Sequence, residues 1–156
     1  MSEVSEPDRS SGALDNVRRH MRILVDIGRL AGESSDLGRF LDQTLTQVAR
    51  AVEIHHVKVL QYRPRTADLL VVAGIGWGEG VVGIAALSAD LRSAPGRAFQ
   101  TAEAVTIKNF KEQEEYIRSD FLKQHDIISL TNVPVLIDAA AWGVLEVDST
   151  TPRGLQ

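Results

Sequence analysis

The chain contains no cysteine. Disulfides, thiolate nucleophiles and Cys-ligated zinc or iron–sulfur clusters are therefore excluded, and a reducing, cytoplasmic setting is the expectation. No apolar run approaches the roughly 18 residues of a membrane-spanning helix. Basic residues do not cluster either. The longest basic run is Arg18-Arg19 and the net charge is −4, so the positive footprint of a nucleic-acid binder is missing, as is the charge that would draw the chain to an anionic membrane. Aromatic residues make up 5% of the sequence, with two tryptophans, so the position of each one is informative.

What is present describes one globular domain. The chain has 156 residues, 44% of them hydrophobic and 24% charged, which is ordinary for a soluble protein long enough to bury a core. Residues 1–12 are polar and acidic with no apolar stretch, and read as a disordered leader rather than a signal peptide. Residues 13–149 read as the folded domain and residues 150–156 as a tail.

The spacing predicts a helix over residues 13–31. Leu14, Val17, Met21 and Leu24 form one stripe on it and Ile23, Ile27 and Leu30 another. Either one stripe packs on the domain and the other on a partner helix, or the two form one wide buried face. Ser34-Ser35-Asp36 is an N-cap signal for a second amphipathic helix over residues 37–53. Strand-like runs follow over residues 57–63 and 69–75, joined by a turn at 64–68, with a further short strand over 81–87. Ser93 caps a helix that carries Pro95 in its first turn. An extended piece over 105–107 and a helix over 112–124 come next. Strands over 128–137 and 142–148, joined by residues 138–141, end the pattern. Two helices, a hairpin, a mixed region and another hairpin make an α+β domain with an antiparallel sheet. Strands apolar on both parities need cover on both faces, with helices on one and the irregular segment 77–128 as a lid over the other. A cavity between sheet and lid is the natural ligand site.

The candidate site residues lie in and beside that lid. Trp77 either plugs the core or covers a ligand, and Phe99, Phe110, Tyr116 and Phe121 fall in the same region. Such aromatics either surround an apolar or planar ligand or fill a core. His125 either caps a helix end, where a positive imidazole is favoured, or donates to a ligand. Ser129, Thr131 and Asn132, at the start of the following strand, either bond a polar ligand or satisfy nearby backbone. His55 and His56 are adjacent at a strand entry and point to opposite faces, so they do not make a metal pair. Glycines 74, 76, 78, 80 and 83 lack the spacing of a nucleotide loop. No Ser/His/Asp arrangement, paired carboxylates or metal cluster stands out, and no catalytic role is expected.

Four segments together resemble a GAF domain. They are the paired N-terminal helices; Val-Ala-Gly-Ile-Gly-Trp-Gly-Glu-Gly-Val-Val-Gly from Val72; Ser-Ala-Pro-Gly-Arg-Ala-Phe-Gln-Thr-Ala-Glu-Ala-Val from Ser93; and Asn-Val-Pro-Val from Asn132 with Trp-Gly-Val-Leu-Glu-Val-Asp-Ser from Trp142. The variant looks most like the GAF domains of bacterial sensor histidine kinases. The resemblance implies a six-stranded antiparallel sheet between helices, a small-molecule pocket under the lid, and a homodimeric input module that signals through its N-terminal helix to an output kinase or other effector. Bilin-attaching and sulfoxide-reducing members use cysteines, which this chain lacks. The cofactor and the ligand are unknown at this point. The family's final helix is expected to be missing, because residues 150–156 are too few for it. The alternative is a ligand-free dimerisation module.

Overall fold

A computed structural model describes residues 34–51 and 56–152. The expected leader, the first helix over 13–31 and the end of the tail lie outside the described residues. Helix α1 (Ser34–Ala51) is followed by strands β1 (His56–Arg63), β2 (Asp68–Ile75) and β3 (Ala86–Ser88), helix α2 (Ala94–Thr101) and strand β4 (Val105–Ile107). A 3-10 turn (Phe110–Glu112), the short helix α3 (Asp120–Gln124) and strands β5 (Ser129–Ile137) and β6 (Ala140–Ser149) complete the order. The strands form one six-stranded antiparallel sheet in the order β3-β2-β1-β6-β5-β4.

The central strands alternate between two buried faces. Val57 and Val59 of β1, Ala73 of β2, Val133 and Val135 of β5 and Leu145 and Val147 of β6 pack with Leu41 and Leu45 of α1. Leu41, Leu45 and the half-buried Ala49 recur every four residues along α1, while Arg39, Asp42, Thr46 and Arg50 are exposed, so one stripe meets the sheet. The opposite parity, including Leu60, Leu69, Val71, Leu130 and Val144, packs with α2 and the lid through Ala94, Ala98, Phe110, Leu122 and Ile127. Burial of apolar side chains on both faces explains why these strands read as continuous hydrophobic runs.

Three local expectations change. The strand predicted over 81–87 is a turn followed by β3: Ile84 and Ala85 donate to the Val81 carbonyl, and Val71 of β2 bonds Ala85 and Gly83 instead. The helix predicted over 112–124 survives only as α3. Gln113 takes over the local backbone bonding, with Oε1 accepting from the Tyr116 N–H at 2.7 Å and Nε2 donating to the Tyr116 carbonyl at 3.0 Å. The Ile117 N–H donates to Arg92 at 2.9 Å, and the Ser119 hydroxyl then caps α3. A side chain that bonds its own backbone competes with helix formation. The connection expected over 138–141 is only Asp138-Ala139, with φ of 51° and 64°. Ile137 already pairs with Ala140. Two left-handed residues in a two-residue loop match the twist of a hairpin.

Gly143 of β6 leaves no room for a side chain against β1. It pairs with Gln61 of β1, and a Cβ there would lie 2.0 Å from the Leu60 carbonyl oxygen. Gly143→Ala must push β1 and β6 apart at the centre of the sheet. The expected loss is about 1–3 kcal/mol, the usual cost of overpacking, read as a lower urea midpoint. An unchanged midpoint would mean that the strands separate there without penalty.

Candidate functional site

The lid face of the sheet carries a cluster of ionisable groups. Lys58 of β1 pairs with Glu146 of β6, and Glu146 pairs on its other side with Asn132 of β5. Cross-strand partners point to the same face, so Asn132, Glu146 and Lys58 form one row across three strands. The next row holds Leu130, Asp148 and His56. Lys58, Asn132, Glu146 and Asp148 all have 0% relative exposure. The Lys58 ammonium donates to Glu146 Oε1 and, at 2.9 Å, to Asp148 Oδ2.

An aromatic roof closes over the ammonium. The Trp77 ring centroid lies 4.2 Å from Lys58 Nζ and that of Phe121 5.1 Å, distances at which a ring face attracts a cation. The Trp77 indole N–H donates to the Val57 carbonyl at 3.0 Å, which anchors the ring to the sheet. The ring passes over Gly74, where a Cβ would come within 2.8 Å of Trp77 Cδ1. The glycine therefore makes room for the tryptophan. His125 packs at 5.1 Å from Trp77 and 4.5 Å from Phe121, and its Nδ1 donates to the Phe121 carbonyl at 2.9 Å. His56 closes the other flank, 5.0 Å from Trp77 and edge-on.

Four buried polar atoms in this cluster have no hydrogen-bond partner. They are Oδ1 and Nδ2 of Asn132, Oε2 of Glu146 and Oδ1 of Asp148. Buried polar groups are nearly always paired, so these are the atoms of the cluster with bonding capacity left.

The electrostatics follow from burial. Burial opposes the Lys58 ammonium, but Asp148 and Glu146 together outweigh it and hold the amine above its ordinary range. Burial also pushes the Asp148 carboxyl well above the ordinary aspartate range. The neighbouring Glu146 charge adds to that, and the Lys58 ammonium opposes it.

The sequence-derived candidates fall into separate places. Trp77, Phe121 and His125 come together here. Phe99 stacks on Tyr62 at 4.3 Å. Phe110 lines a hollow of about 90 Å³ with Leu87, Pro95, Ile117 and Leu122, apart from the Lys58 cluster. Tyr116 is half-buried in the lid, its hydroxyl pushed up by burial and by Glu115, with Arg97 opposing. Ser129 and Thr131 share the parity of Val133 and Val135 and so point away from the lid. Ser129 donates to the Thr151 carbonyl at 2.7 Å, and Thr131 meets Thr106 at 3.2 Å. Asn132 is the residue of that trio on the lid face. Lys58, Glu146 and Asp148 are not among the sequence candidates, and the expectation that no paired carboxylates stand out is corrected by Glu146 and Asp148. Their signal was present: a lysine in β1, and two acids at alternate positions of β6, set among apolar residues.

Asp148 makes stability fall as pH rises. A folded-state pKa above the unfolded one contributes stability that is complete below the unfolded value, about pH 4, and is lost as pH rises through the folded value. The raised Lys58 pKa has the same sign, but acts only above about pH 10. Glu146, Lys58 and His56 face Asp148, so the difference between the wild-type and Asp148→Asn profiles reads the Asp148 carboxyl together with its interaction with Glu146. Asp148→Asn is expected to gain melting temperature relative to wild type as pH rises from about 4. Parallel profiles over that range would refute the assignment of the raised carboxyl to Asp148.

The comparisons agree with this architecture. No curated protein matches the sequence. The GAF domain of a phosphoenolpyruvate-protein phosphotransferase from Acinetobacter is 25% identical and superposes with a TM-score of 0.65, covering 92% of this chain and 80% of that one. Free methionine-R-sulfoxide reductase from Neisseria meningitidis, in complex with its substrate, is 16% identical with a TM-score of 0.65, covering 100% and 84%. An NreA protein from Staphylococcus aureus, mutated in its nitrate-binding site, is 17% identical with a TM-score of 0.62, covering 80% and 93%. The latter two likenesses establish fold alone. The family model for the GAF domain matches residues 36–156, and the chain belongs to the GAF domain family.

Proposed function

We propose that this chain is the sensory domain of a bacterial signal-transduction protein and binds a small polar molecule between the sheet and the lid. The observation that carries the reading is the set of four unpaired buried polar atoms on Asn132, Glu146 and Asp148. A core that only had to be filled would not retain them, because each costs roughly 1–3 kcal/mol when left unpaired. The Lys58 ammonium beside those atoms is roofed by Trp77 and Phe121. Among the neighbours in fold, one holds a substrate and another has a nitrate-binding site, which supports a role for this fold as a container.

The domain is read as non-catalytic, and a chain without cysteine has no thiol with which to reduce a sulfoxide. Its output is a kinase or another effector, a sensor histidine kinase being the arrangement the sequence most resembles, and its signal leaves through the N-terminal helix of a homodimer. A cytoplasmic location fits this role. Among the described residues no helix is long and apolar enough to cross a membrane.

A second reading has its own support. Lys58, Trp77, Phe121 and His125 already fill the space under the lid, which suits a dimerisation module without a ligand. Native mass spectrometry of gently purified protein separates the two. The sensory reading predicts a small additional mass that disappears on denaturation, and quenching or enhancement of Trp77 fluorescence when the released molecule is returned. A bare mass, with no thermal response to a panel of polar metabolites, would overturn it in favour of the dimerisation module.

A further inference from the structure

The lid-side cluster has the composition of a cation receptor. Two carboxylates converge on one ammonium, two aromatic faces cover it, and three acceptor atoms beside it, Glu146 Oε2, Asp148 Oδ1 and Asn132 Oδ1, are unpaired. Lys58 uses two of its three N–H donors on the carboxylates, so the acceptors in the cluster outnumber what its amine satisfies. The lysine is also an expensive choice for a structural filler. Well-packed apolar residues generally replace a buried ion cluster at no loss of stability. A long, unbranched side chain with a rotatable head is, however, well suited to leave and return.

We propose that Glu146, Asp148 and Asn132, roofed by Trp77 and Phe121, form a binding site for a primary ammonium group, and that Lys58 is its internal occupant, exchanged for the ammonium of an incoming ligand. The proposal rests on the sensory reading above and deepens it by naming the ligand's chemistry and the gate. Lysine exit and ligand entry are one exchange, because a buried carboxylate cannot be left without a cation. The tethered amine sets a threshold: only a ligand that makes further contacts, for which the Asn132 amide is available, outcompetes it.

Chemical rescue tests this directly. Lys58→Ala removes the internal ammonium together with its stem and leaves space for a short alkylammonium ion. Ethyl-, propyl- and butylammonium chloride are expected to raise the melting temperature of K58A by at least about 3 °C at saturation. The matching alcohols and sodium chloride should leave it unchanged. Lys58→Met fills the space without a charge and should not respond. If K58A does not fold alone, the amines are expected to restore its folding, and K58A/D148N, with one buried carboxylate fewer, takes the same test.

Failure of folded K58A to respond, failure of the amines to restore folding of either variant, or equal stabilisation of K58M would each overturn the ammonium assignment. The outcome for the sensory reading is distinguishable. An unresponsive K58A beside a wild type that carries a bound molecule removes the ammonium site and keeps the sensor. A responsive K58A beside a bare wild type makes Lys58 a permanent occupant, which overturns the exchange and the sensory reading together.

Discussion

The buried ion cluster of Lys58, Glu146 and Asp148 is the constraint on which the lid side of this domain depends. It lies on the two central strands, β1 and β6, where each charge is sealed from water by the lid. The carboxylates need the ammonium, and the ammonium needs them, since removing one member of such a group typically costs about 3–5 kcal/mol through the charge left behind. Trp77 and Phe121 must sit where they do to keep water out. Gly74 and the Val57 carbonyl fix the indole, and the indole fixes the start of the lid. The geometry of segment 77–128 is thus set at both ends by the same few atoms: Trp77 where the lid leaves the sheet, and Phe121 with His125 just before it returns as β5.

The sheet's two faces are held by different physics. Toward α1 the contacts are aliphatic, with Leu41 and Leu45 set against valines and Leu145, an interface that tolerates small repacking. Toward the lid the aliphatic layer is interrupted by the charged rows and their aromatic cover. Polar clusters of this kind admit fewer arrangements, because each displaced group forfeits a hydrogen bond in a low-dielectric setting. Both faces bury apolar side chains, the larger set lying under the lid, and the charged rows are set into that larger apolar layer.

Much of the architecture was legible in the sequence, for definite reasons. The four-residue repeat of α1, the Ser93 cap with Pro95 behind it, and the apolar runs of β1, β2, β5 and β6 each follow from local periodicity or capping chemistry. The site was legible only in its lid half. Trp77, Phe121 and His125 attract notice as rare residues in an irregular segment. Lys58 and Glu146 are 88 positions apart, and nothing local to either states that their strands are neighbours in matching register. Ser129 and Thr131 against Asn132 is a question of parity, and a shift of one residue along a strand exchanges the two faces. The helix expected over 112–124 had suitable apolar spacing at Tyr116, Ile117, Phe121 and Leu122. It yielded to the Gln113 side chain, which bonds the backbone of Tyr116 from both sides.

Strand β1 joins the two halves of the domain. Lys58 faces the lid, while Val57 and Val59, on either side of it, lie under α1. The Val57 carbonyl also receives the Trp77 indole, so one three-residue stretch touches the ammonium, the roof and the helix layer. A strand in a close-packed interior cannot shift one residue without its neighbours responding. Under the proposed exchange, departure of Lys58 alters the charge and packing on one side of this stretch and leaves the aliphatic contacts on the other side to adjust. Helix α1, seated on Val57 and Val59, therefore stands one residue from Lys58.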